Sequence, residues 1–300
     1  MELETLSLCP VCEHNQFELA LVATDYTVSK KDFQIERCKS CGFLISNPRP
    51  PLSSIGSYYE SDDYVSHTQK NKGVLDFIYR IARSYTLRWK RGLLEKLQKS
   101  GRLLDYGCGT GQFLKTMQSS GWQVTGVEPT SKAREQARKL LSDSESVVHS
   151  ELSTLSPDKF DIITLWHVLE HVHDLSGTLQ QLKRLLKPDG HILIAVPNYQ
   201  SWDASIYKKY WAAYDVPRHL WHFSKESMKV ILQNTQLHLK STIPMKLDAY
   251  YVSLLSEKNK SKGRIGIAGL LNGMWVAYQS NRKANAEKNH SSLIYIATHA

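Results

Sequence analysis

A glycine-rich run between residues 105 and 111 has the spacing that most clearly indicates chemistry. Asp105 ends an apolar segment, and glycine then occupies every second position through 111. Glycines spaced in this way let the backbone turn tightly and let a ligand lie directly against it. About twenty residues later a second apolar segment ends in Glu128, where nucleoside-binding βαβ units place an acid for the ribose hydroxyls. The run therefore predicts a nucleoside site, and an ordinary βα turn without a ligand is the alternative.

The glycine spacing also indicates which nucleoside is bound. Dinucleotide folds use G-x-G-x-x-G, but Gln112 occupies the position of the last glycine. The observed D-x-G-x-G-x-G, followed by Glu128-Pro129, resembles class I S-adenosylmethionine-dependent methyltransferases. The resemblance implies S-adenosylmethionine as cosubstrate, with the glycines against its methionyl-adenosyl portion and Glu128 on the ribose. The residues it assigns to this pocket are Asp105, Tyr106, Gly107, Gly109, Gly111, Phe113, Glu128, Pro129, Trp166 and His167.

Two histidines and a glutamate follow the fourth predicted strand. His167, Glu170 and His171 match H-x-x-E-H, the inverted zinc-peptidase pattern, which needs both histidines on one helix. They leave an apolar strand instead, and they resemble the stretch of ubiquinone-type O-methyltransferases in which E-H follows that strand. Three roles stay open for them: lining the cosubstrate pocket, general base catalysis, and binding of a divalent ion. The alternative is structural, with Glu170 and His171 fixing the turn by hydrogen bonds.

An aromatic segment at 198–223 is predicted to form a lid over the substrate. Near its end, Arg218, His219 and His222 are candidates for binding an anionic acceptor or removing a proton. A packed loop with hydrogen-bonded structural histidines is the alternative. The D-x-P-R-H-L-x-H-F pattern here, with N-P-R-P at 47–50 and tyrosines at 58–59, is similar to methyltransferases with an N-terminal zinc module. Several of these methylate sugars or other small metabolites. The catalytic candidates are His167, Glu170, His171, His219 and His222.

Four of the five cysteines form two C-x-x-C pairs, Cys9 with Cys12 and Cys38 with Cys41. Two such knuckles complete a tetrahedral four-thiolate site, so the spacing predicts a structural zinc ion in a ribbon-like module. Disulfides are disfavoured in a cytosolic chain, and no βαβ pattern surrounds the pairs to indicate a redox function. Cys108, inside the glycine run, is predicted to be a small buried residue.

The elements that position these residues alternate between strands and helices. Strands are predicted at 103–106, 124–128, 147–148, 160–166, 191–196, 237–243 and 292–297, and helices at 74–97, 131–141, 175–186 and 228–234. Alternation of this kind is typical of an α/β, Rossmann-like doubly wound sheet. The methyltransferase resemblance implies seven strands with the last one antiparallel.

The chain is predicted to consist of a zinc-binding module at 1–48, a linker and N-terminal helix at 49–100, and an S-adenosylmethionine-dependent methyltransferase domain at 101–300. An aromatic, polar stretch with Tyr64 lies in the linker. Before the last strand, a helical insertion at about 244–290 has three open roles. It caps the substrate, packs on a partner subunit, or rests on a membrane.

Composition sets outer limits on these interpretations. The chain has 300 residues, 41% hydrophobic residues and a net charge of +9. It contains no run of about 18 apolar residues, and its start lacks the features of a signal peptide, so a cytoplasmic protein is expected. The charge permits an anionic partner such as a nucleic acid, acidic lipid or phosphorylated metabolite, and a solvated basic surface is the alternative.

The resemblance implies O- or C-methylation of a small-molecule acceptor, such as a sugar, a quinol or phenol, or a related metabolite that is anionic or lipid-like. An RNA base methyltransferase with a zinc module is the main alternative. Against it, the sequence shows no dense basic stripe, and no N-P-P-[YF]-like motif follows the fourth strand. A catalytically silent binding protein that recruits partners through its zinc module is the third possibility.

Overall fold

The computed structural model describes residues 2–59, 74–142, 147–157 and 159–300, with the side chains of 74–83 and 287 left out. Tyr64 and the rest of its stretch from 60 onward therefore lie outside the described residues. The same holds for the side chains of Leu75, Ile78 and Ala82, which belong to the apolar pattern of the first predicted helix.

The elements alternate along the chain as the sequence predicts. The first half contains β1 (Phe17–Thr24), β2 (Asp32–Cys38), β3 (Leu44–Ser46), α1 (Val74–Leu97), β4 (Arg102–Tyr106), α2 (Gln112–Gln118), β5 (Gln123–Val127), α3 (Ser131–Leu140) and β6 (Val148–His149). The second half contains β7 (Phe160–Trp166), α4 (Leu175–Leu185), β8 (Leu186–Pro197), α5 (Trp202–Tyr207), β9 (Trp221–His222), α6 (Lys225–Asn234), β10 (Leu237–Pro244), α7 (Asp248–Lys260), α8 (Ile267–Glu287) and β11 (Ser292–His299). Short 3₁₀ segments lie between them, including Leu169–His171 directly after β7.

A seven-stranded sheet forms the centre of the protein, in the order β10–β11–β8–β7–β4–β5–β6. Strand β11 is antiparallel to both of its neighbours, and the strands from β8 to β6 pair in parallel. Strand β7 is mostly apolar and β8 is continuously apolar over 192–197, because both faces of the sheet are covered there. The predicted fold class is therefore confirmed. The carboxyl ends of β4, β5 and β7 meet at one edge, where parallel sheets bind ligands.

Two elements begin three or more residues earlier than the sequence predicts, whereas the other predicted bounds differ by two residues at most. Strand β8 begins at Leu186 rather than His191, because Leu186 pairs with Phe160 and a register shift then brings His191 opposite Ile162. Helix α6 begins at Lys225 rather than 228, because Ser224 and Ser227 form a reciprocal capping box at its start. Periodicity alone does not reveal either feature.

A second sheet joins the N-terminal module to the predicted lid. Its order is β1–β2–β3–β9, so a strand from residues 221–222 pairs with a strand from residues 44–46. Phe43 packs near Trp221 and Phe223, and these residues share one core with the central sheet. The predicted boundary after residue 48 stays a prediction, and this sheet crosses it.

The insertion before β11 consists of the two helices α7 and α8, which pack on each other. On α8, Val276, Ala277 and Ser280 are buried, and Ser280 Oγ donates to Asp203 Oδ1 on α5 at 2.6 Å. The insertion is therefore anchored next to the aromatic segment. Among the helices that the structure describes, none combines the length and hydropathy that a bilayer crossing needs.

Candidate active site

The glycine loop between β4 and α2 adopts a left-handed backbone at Gly107, Gly109 and Gly111, with φ of 74°, 54° and 76°. A Cβ on Gly107 would meet Val168 Cγ2 at 2.5 Å, and a Cβ on Gly111 would meet Ala137 Cβ at 3.0 Å. A Cβ on Gly109 would have no atom of the described residues within 4 Å. Gly107 and Gly111 thus permit close packing, whereas Gly109 faces open space in which a ligand can contact the backbone.

Glu128 ends β5 opposite this loop. Its Oε2 accepts from Gly109 N at 3.0 Å, and its Oε1 accepts from Thr130 N at 2.9 Å. The side chain of Thr130 occupies the N-cap position of α3 without making a capping bond. Arg134 donates to the carbonyl oxygens of Glu128 and Pro129 at 2.7 and 2.8 Å. These contacts hold the carboxylate against the glycine loop, and each oxygen keeps a lone pair for a hydroxyl donor.

Asp105 is buried at the end of β4. Thr164 Oγ1 donates to its Oδ1 at 2.7 Å, and burial raises the pKa of Asp105 to about 7. Tyr106, which follows it, is half-buried, and burial raises the pKa of its phenol as well. Asp105, the acid at the start of the glycine motif, is thus enclosed by protein groups.

Lys90 reaches this region from α1, although nothing in the sequence indicated a role for it. Its Nζ lies 4.1 Å from the centre of the Trp166 ring and 5.9 Å from that of Phe113. The two rings meet edge to face with centres 5.5 Å apart. Burial lowers the pKa of Lys90 to about 8, while the charges of Asp105 and Asp248 act in the opposite direction. A cation beside an aromatic pair is therefore available at the end of β7.

His167 is held between two carboxylates. Its Nδ1 lies 3.2 Å from Glu170 Oε1 and its Nε2 lies 2.8 Å from Asp248 Oδ2. Burial alone would lower the pKa of His167, but the two carboxylates outweigh burial and raise it to about 10. Both ring nitrogens then carry protons at neutral pH. His167 therefore has no lone pair for a substrate proton in this arrangement, and Asp248, which sequence reasoning did not select, is its partner.

Glu170, His171 and His219 converge behind His167, with one ligand atom from each within 4.8 Å of the others. Nδ1 of His219 donates to Ala213 O at 2.8 Å, and Nδ1 of His171 donates to Arg218 O at 3.1 Å. Because a carbonyl oxygen only accepts hydrogen bonds, Nε2 of His219 is left with its lone pair when the ring is neutral. Nδ1 of His171 also lies 3.0 Å from the hydroxyl of Tyr59. The second oxygen of Glu170 is buried and has no hydrogen-bond partner among the described residues. The cluster can accept a proton or ligate a cation.

The surroundings shift the pKa values of His171 and Glu170. Burial lowers the pKa of His171 to about 4, and the neighbouring charge of His219 adds to the effect. Burial would raise the pKa of Glu170, but the hydrogen bond and charge of His167 outweigh it and lower the pKa. His171 is therefore neutral and Glu170 is ionised at neutral pH.

Arg218 and His222 have mainly structural surroundings. The guanidinium of Arg218 is buried and pairs with Asp25 at 3.1 Å and with Asp215 at 2.6 Å. His222 lies in β9 with its Nε2 3.2 Å from Ser46 Oγ, and burial lowers its pKa to about 3. His222 does not line the cavity beside the site, whereas Arg218 does, with its guanidinium already paired with two carboxylates.

A cavity of about 1010 Å³ lies beside these groups. His167, Glu170, His219 and Asp248 line its inner end, whereas His171 and His222 do not reach it. The aromatic residues in its lining are Tyr26, Tyr210, Trp211, Tyr214 and Tyr251, and its lysines are Lys30, Lys209, Lys258, Lys260 and Lys262. The volume suits a small molecule, and the lysines favour one that carries negative charge.

The four N-terminal cysteines converge in the fold. Sγ of Cys9 lies 3.6 Å from that of Cys41, and Sγ of Cys12 lies 3.5 Å from that of Cys38, with all four within 4.8 Å of one another. Tetrahedral zinc with Zn–S bonds of about 2.3 Å places sulfurs about 3.8 Å apart. The cluster thus fits a closed zinc site, and no disulfide joins the cysteines that the structure describes. Cys108 is buried, as predicted.

The comparison with known families agrees with this geometry. Residues 77–242, more than half of the chain, match a family described as a methyltransferase domain. The chain belongs to this methyltransferase family. The sheet order and the glycine loop agree with this membership.

Curated relatives of this methyltransferase include two proteins named ubiquinone biosynthesis O-methyltransferase. The one from Actinobacillus pleuropneumoniae serotype 7 (strain AP76) is 34% identical over 107 residues, which are 32% of this chain and 46% of the relative. The one from Vibrio cholerae serotype O1 (strain ATCC 39541) is 35% identical over 124 residues, which are 38% of this chain and 47% of the relative. The chain thus spans about half the length of the curated relatives it matches.

Solved structures show that the methyltransferase shares its fold with other members of the class. Magnesium protoporphyrin IX methyltransferase from Synechocystis PCC 6803, with bound SAH, aligns with a TM-score of 0.53 and 13% identity, over 83% of this chain and all of that one. A geranyl diphosphate methyltransferase aligns with a TM-score of 0.51 and 12% identity, over 72% of this chain and 78% of that one. These similarities bear on the fold alone.

Proposed function

We propose that this methyltransferase transfers the methyl group of S-adenosylmethionine to a hydroxyl or an acidic carbon of a small, negatively charged acceptor. The observation that carries the proposal is the cavity with His219 at its inner end and lysines in its lining. Its aromatic residues offer flat faces to a sugar or a quinol ring. Relatives named for ubiquinone O-methylation support an acceptor of this size.

The cosubstrate is assigned to the edge of the sheet that carries the glycine loop. The open space at Gly109 fits a ligand against the backbone, and the Glu128 carboxylate faces it to accept ribose hydroxyls. Lys90 supplies a cation for the carboxylate of the methionine portion, and Trp166 with Phe113 forms an apolar wall. The bound sulfonium supplies an electrophilic methyl group. The chain's own residues then hold the acceptor in line with it, and positioning alone lowers such barriers by several kcal/mol.

His219 is assigned the role of general base. Its Nδ1–H is fixed on Ala213 O, so Nε2 is the nitrogen that takes the acceptor proton. The imidazolium formed in this step lies with Nε2 3.9 Å from Asp215 Oδ2 and close to Glu170. Two carboxylates thus stabilise the charge that the proton transfer creates. His167, already protonated, contributes a fixed positive charge to the same end of the cavity.

The four cysteines are assigned to a structural zinc ion. Four thiolates fill the coordination of zinc and leave no position for water, so the ion has no part in the transfer. It would fix the strands that carry the N-terminal module.

The function is tested by incubating the protein with methyl-labelled S-adenosylmethionine and cell extract, and then separating small molecules, lipids, RNA and protein. Label in small molecules or lipids supports the proposal and yields a species to identify by mass. Label in RNA would favour a base methyltransferase. Binding of the cosubstrate without transfer to any fraction would favour a silent scaffold.

The base is tested with His219→Gln, which we expect to lower kcat about 10²–10⁴-fold without weakening cosubstrate binding. His222→Gln is the matched control, because His222 lies in the same segment but outside the cavity. Equal loss in both variants, or none in His219→Gln, would refute the assignment.

A further inference from the structure

The outward face of α8 is apolar although the helix lies at the protein surface. Six side chains on it are between 44 and 80% exposed, and all of them are large and hydrophobic. We call this set the α8 face, and it consists of Ile267, Leu270, Leu271, Met274, Trp275 and Tyr278. Single exposed hydrophobic residues are normal on soluble proteins, but a contiguous set on one helix marks an interaction surface.

The α8 face is separate from the side of the helix that packs on the protein. At 100° per residue the six side chains span about 140° of the helix surface. Val276, Ala277, Ser280 and Ala284 are buried on the other side, towards α5 and α7. The helix is therefore anchored without the α8 face, and apolar residues there are not needed for the core.

Basic residues flank the α8 face at both ends. The segment 258–288 contains seven lysines and arginines and one acidic residue. Lys260, Lys262 and Arg264 are exposed just before α8, and Arg282 and Lys283 are exposed near its end. An apolar stripe with tryptophan and tyrosine between basic flanks is the pattern of helices that lie in the interface of an anionic bilayer.

We propose that the α8 face docks on the surface of an anionic lipid bilayer. The helix would lie in the plane of the interface, with its apolar side chains among the upper acyl chains and its basic flanks on the headgroups. A second copy of the chain is a poorer occupant, because pairing two α8 faces would bring basic flanks together. Lys260, Lys262 and Gly263 also line the cavity, so docking would open the cavity at the headgroup layer.

Binding to vesicles tests this proposal with the full chain and without cosubstrate or acceptor, so the result is independent of the proposed transfer reaction. We expect co-sedimentation with phosphatidylglycerol/phosphatidylcholine vesicles and much less with phosphatidylcholine alone. Replacing Leu271 and Trp275 together with serine should weaken binding at least tenfold. Leu52→Ser is the control, because Leu52 is 72% exposed and lies outside the α8 face.

The charge contribution is tested by Lys260→Gln with Lys262→Gln, which should weaken binding to anionic vesicles roughly 30-fold. The matched control replaces two exposed lysines of α3, Lys132 and Lys139, with glutamine. Equal binding to neutral and anionic vesicles, or binding that the α8 changes leave intact, would overturn the proposal. So would a dimer in sedimentation equilibrium that the Leu271 and Trp275 changes dissociate, because a second copy would then cover the face.

Discussion

Replacing Gly109 with alanine should separate ligand binding from folding. The residue has φ of 54°, and the added methyl group would have no atom within 4 Å in the part of the chain that the structure describes. The only cost to the free protein is the left-handed backbone, which is about 1–2 kcal/mol for a residue with a Cβ. In a chain of this size each kcal/mol lowers Tm by about 2–4 °C. The folded protein should therefore persist.

Cosubstrate binding should respond differently to the same change. The methyl group would occupy the space in which the ligand is proposed to contact the loop. Overpacking by one methyl group costs about 1–3 kcal/mol. That cost corresponds to a roughly 5- to 150-fold rise in Kd. Isothermal titration calorimetry with S-adenosylhomocysteine, beside thermal melts of the free protein, measures both quantities.

Gly121 provides the matched control for this prediction. Its φ is 85°, and a Cβ there would likewise have nothing within 4 Å, but it lies beyond the far end of α2. Gly121→Ala should thus lose a similar amount of stability and keep its affinity. Unchanged affinity in Gly109→Ala would refute the placement of the cosubstrate on this loop. A much larger loss of stability in Gly109→Ala than in Gly121→Ala would refute the reasoning about free space.

Three further predictions concern the surroundings of the site. Arg218→Met leaves the carboxylate of Asp25 buried without its cation. Urea denaturation should therefore show that the free energy of unfolding falls by about 3–5 kcal/mol. A fall below about 1 kcal/mol would contradict the pairing. The pKa of His167 is about 10 in the fold and about 6.5 unfolded, so its contribution to stability is complete below pH 6.5 and vanishes as pH rises through 10. Thermal melts should therefore show a smaller fall in Tm from pH 7 to 10 for His167→Gln, and parallel falls would contradict the assigned pairing. Elemental analysis should find one zinc ion per chain. The ion should be retained in Cys108→Ser and lost in Cys38→Ser. Equal zinc content in the two variants would argue against a zinc site at the four cysteines.

The features that could be predicted from the sequence are those that depend on residues close together in the chain. The glycine loop and the acid after β5 belong to one βαβ unit, and each C-x-x-C pair forms a local turn. The alternating apolar segments were enough to predict the central sheet, because each strand has a recognisable run of apolar residues. The number of strands and the antiparallel last strand came from the family resemblance, and the structure confirms both.

The features that could not be predicted depend on contacts between distant segments. Asp248 contacts His167 although the two residues are 81 positions apart in the sequence. The contact keeps His167 protonated, so His167 is no longer a candidate for the general base. Lys90 has no motif around it, since its importance comes from where α1 places it against Trp166. His219 could be selected from the sequence as a histidine, but its tautomer depends on the carbonyl of Ala213.

The pairing of β3 with β9 has a consequence for how acceptor preference can change. Ser46 Oγ donates to the carbonyl of His219 at 2.7 Å, and Ser46 N donates to that of Leu220 at 2.9 Å. Ser46 lies five positions after Cys41, the last cysteine of the N-terminal cluster. The wall of the proposed acceptor site is thus assembled from the beginning of the chain and from a segment some 170 positions later. Recombination that exchanges only one of these segments would leave a strand without its neighbour. Chimaeras designed to swap acceptors should therefore transplant residues 1–59 and 197–223 as one discontinuous unit.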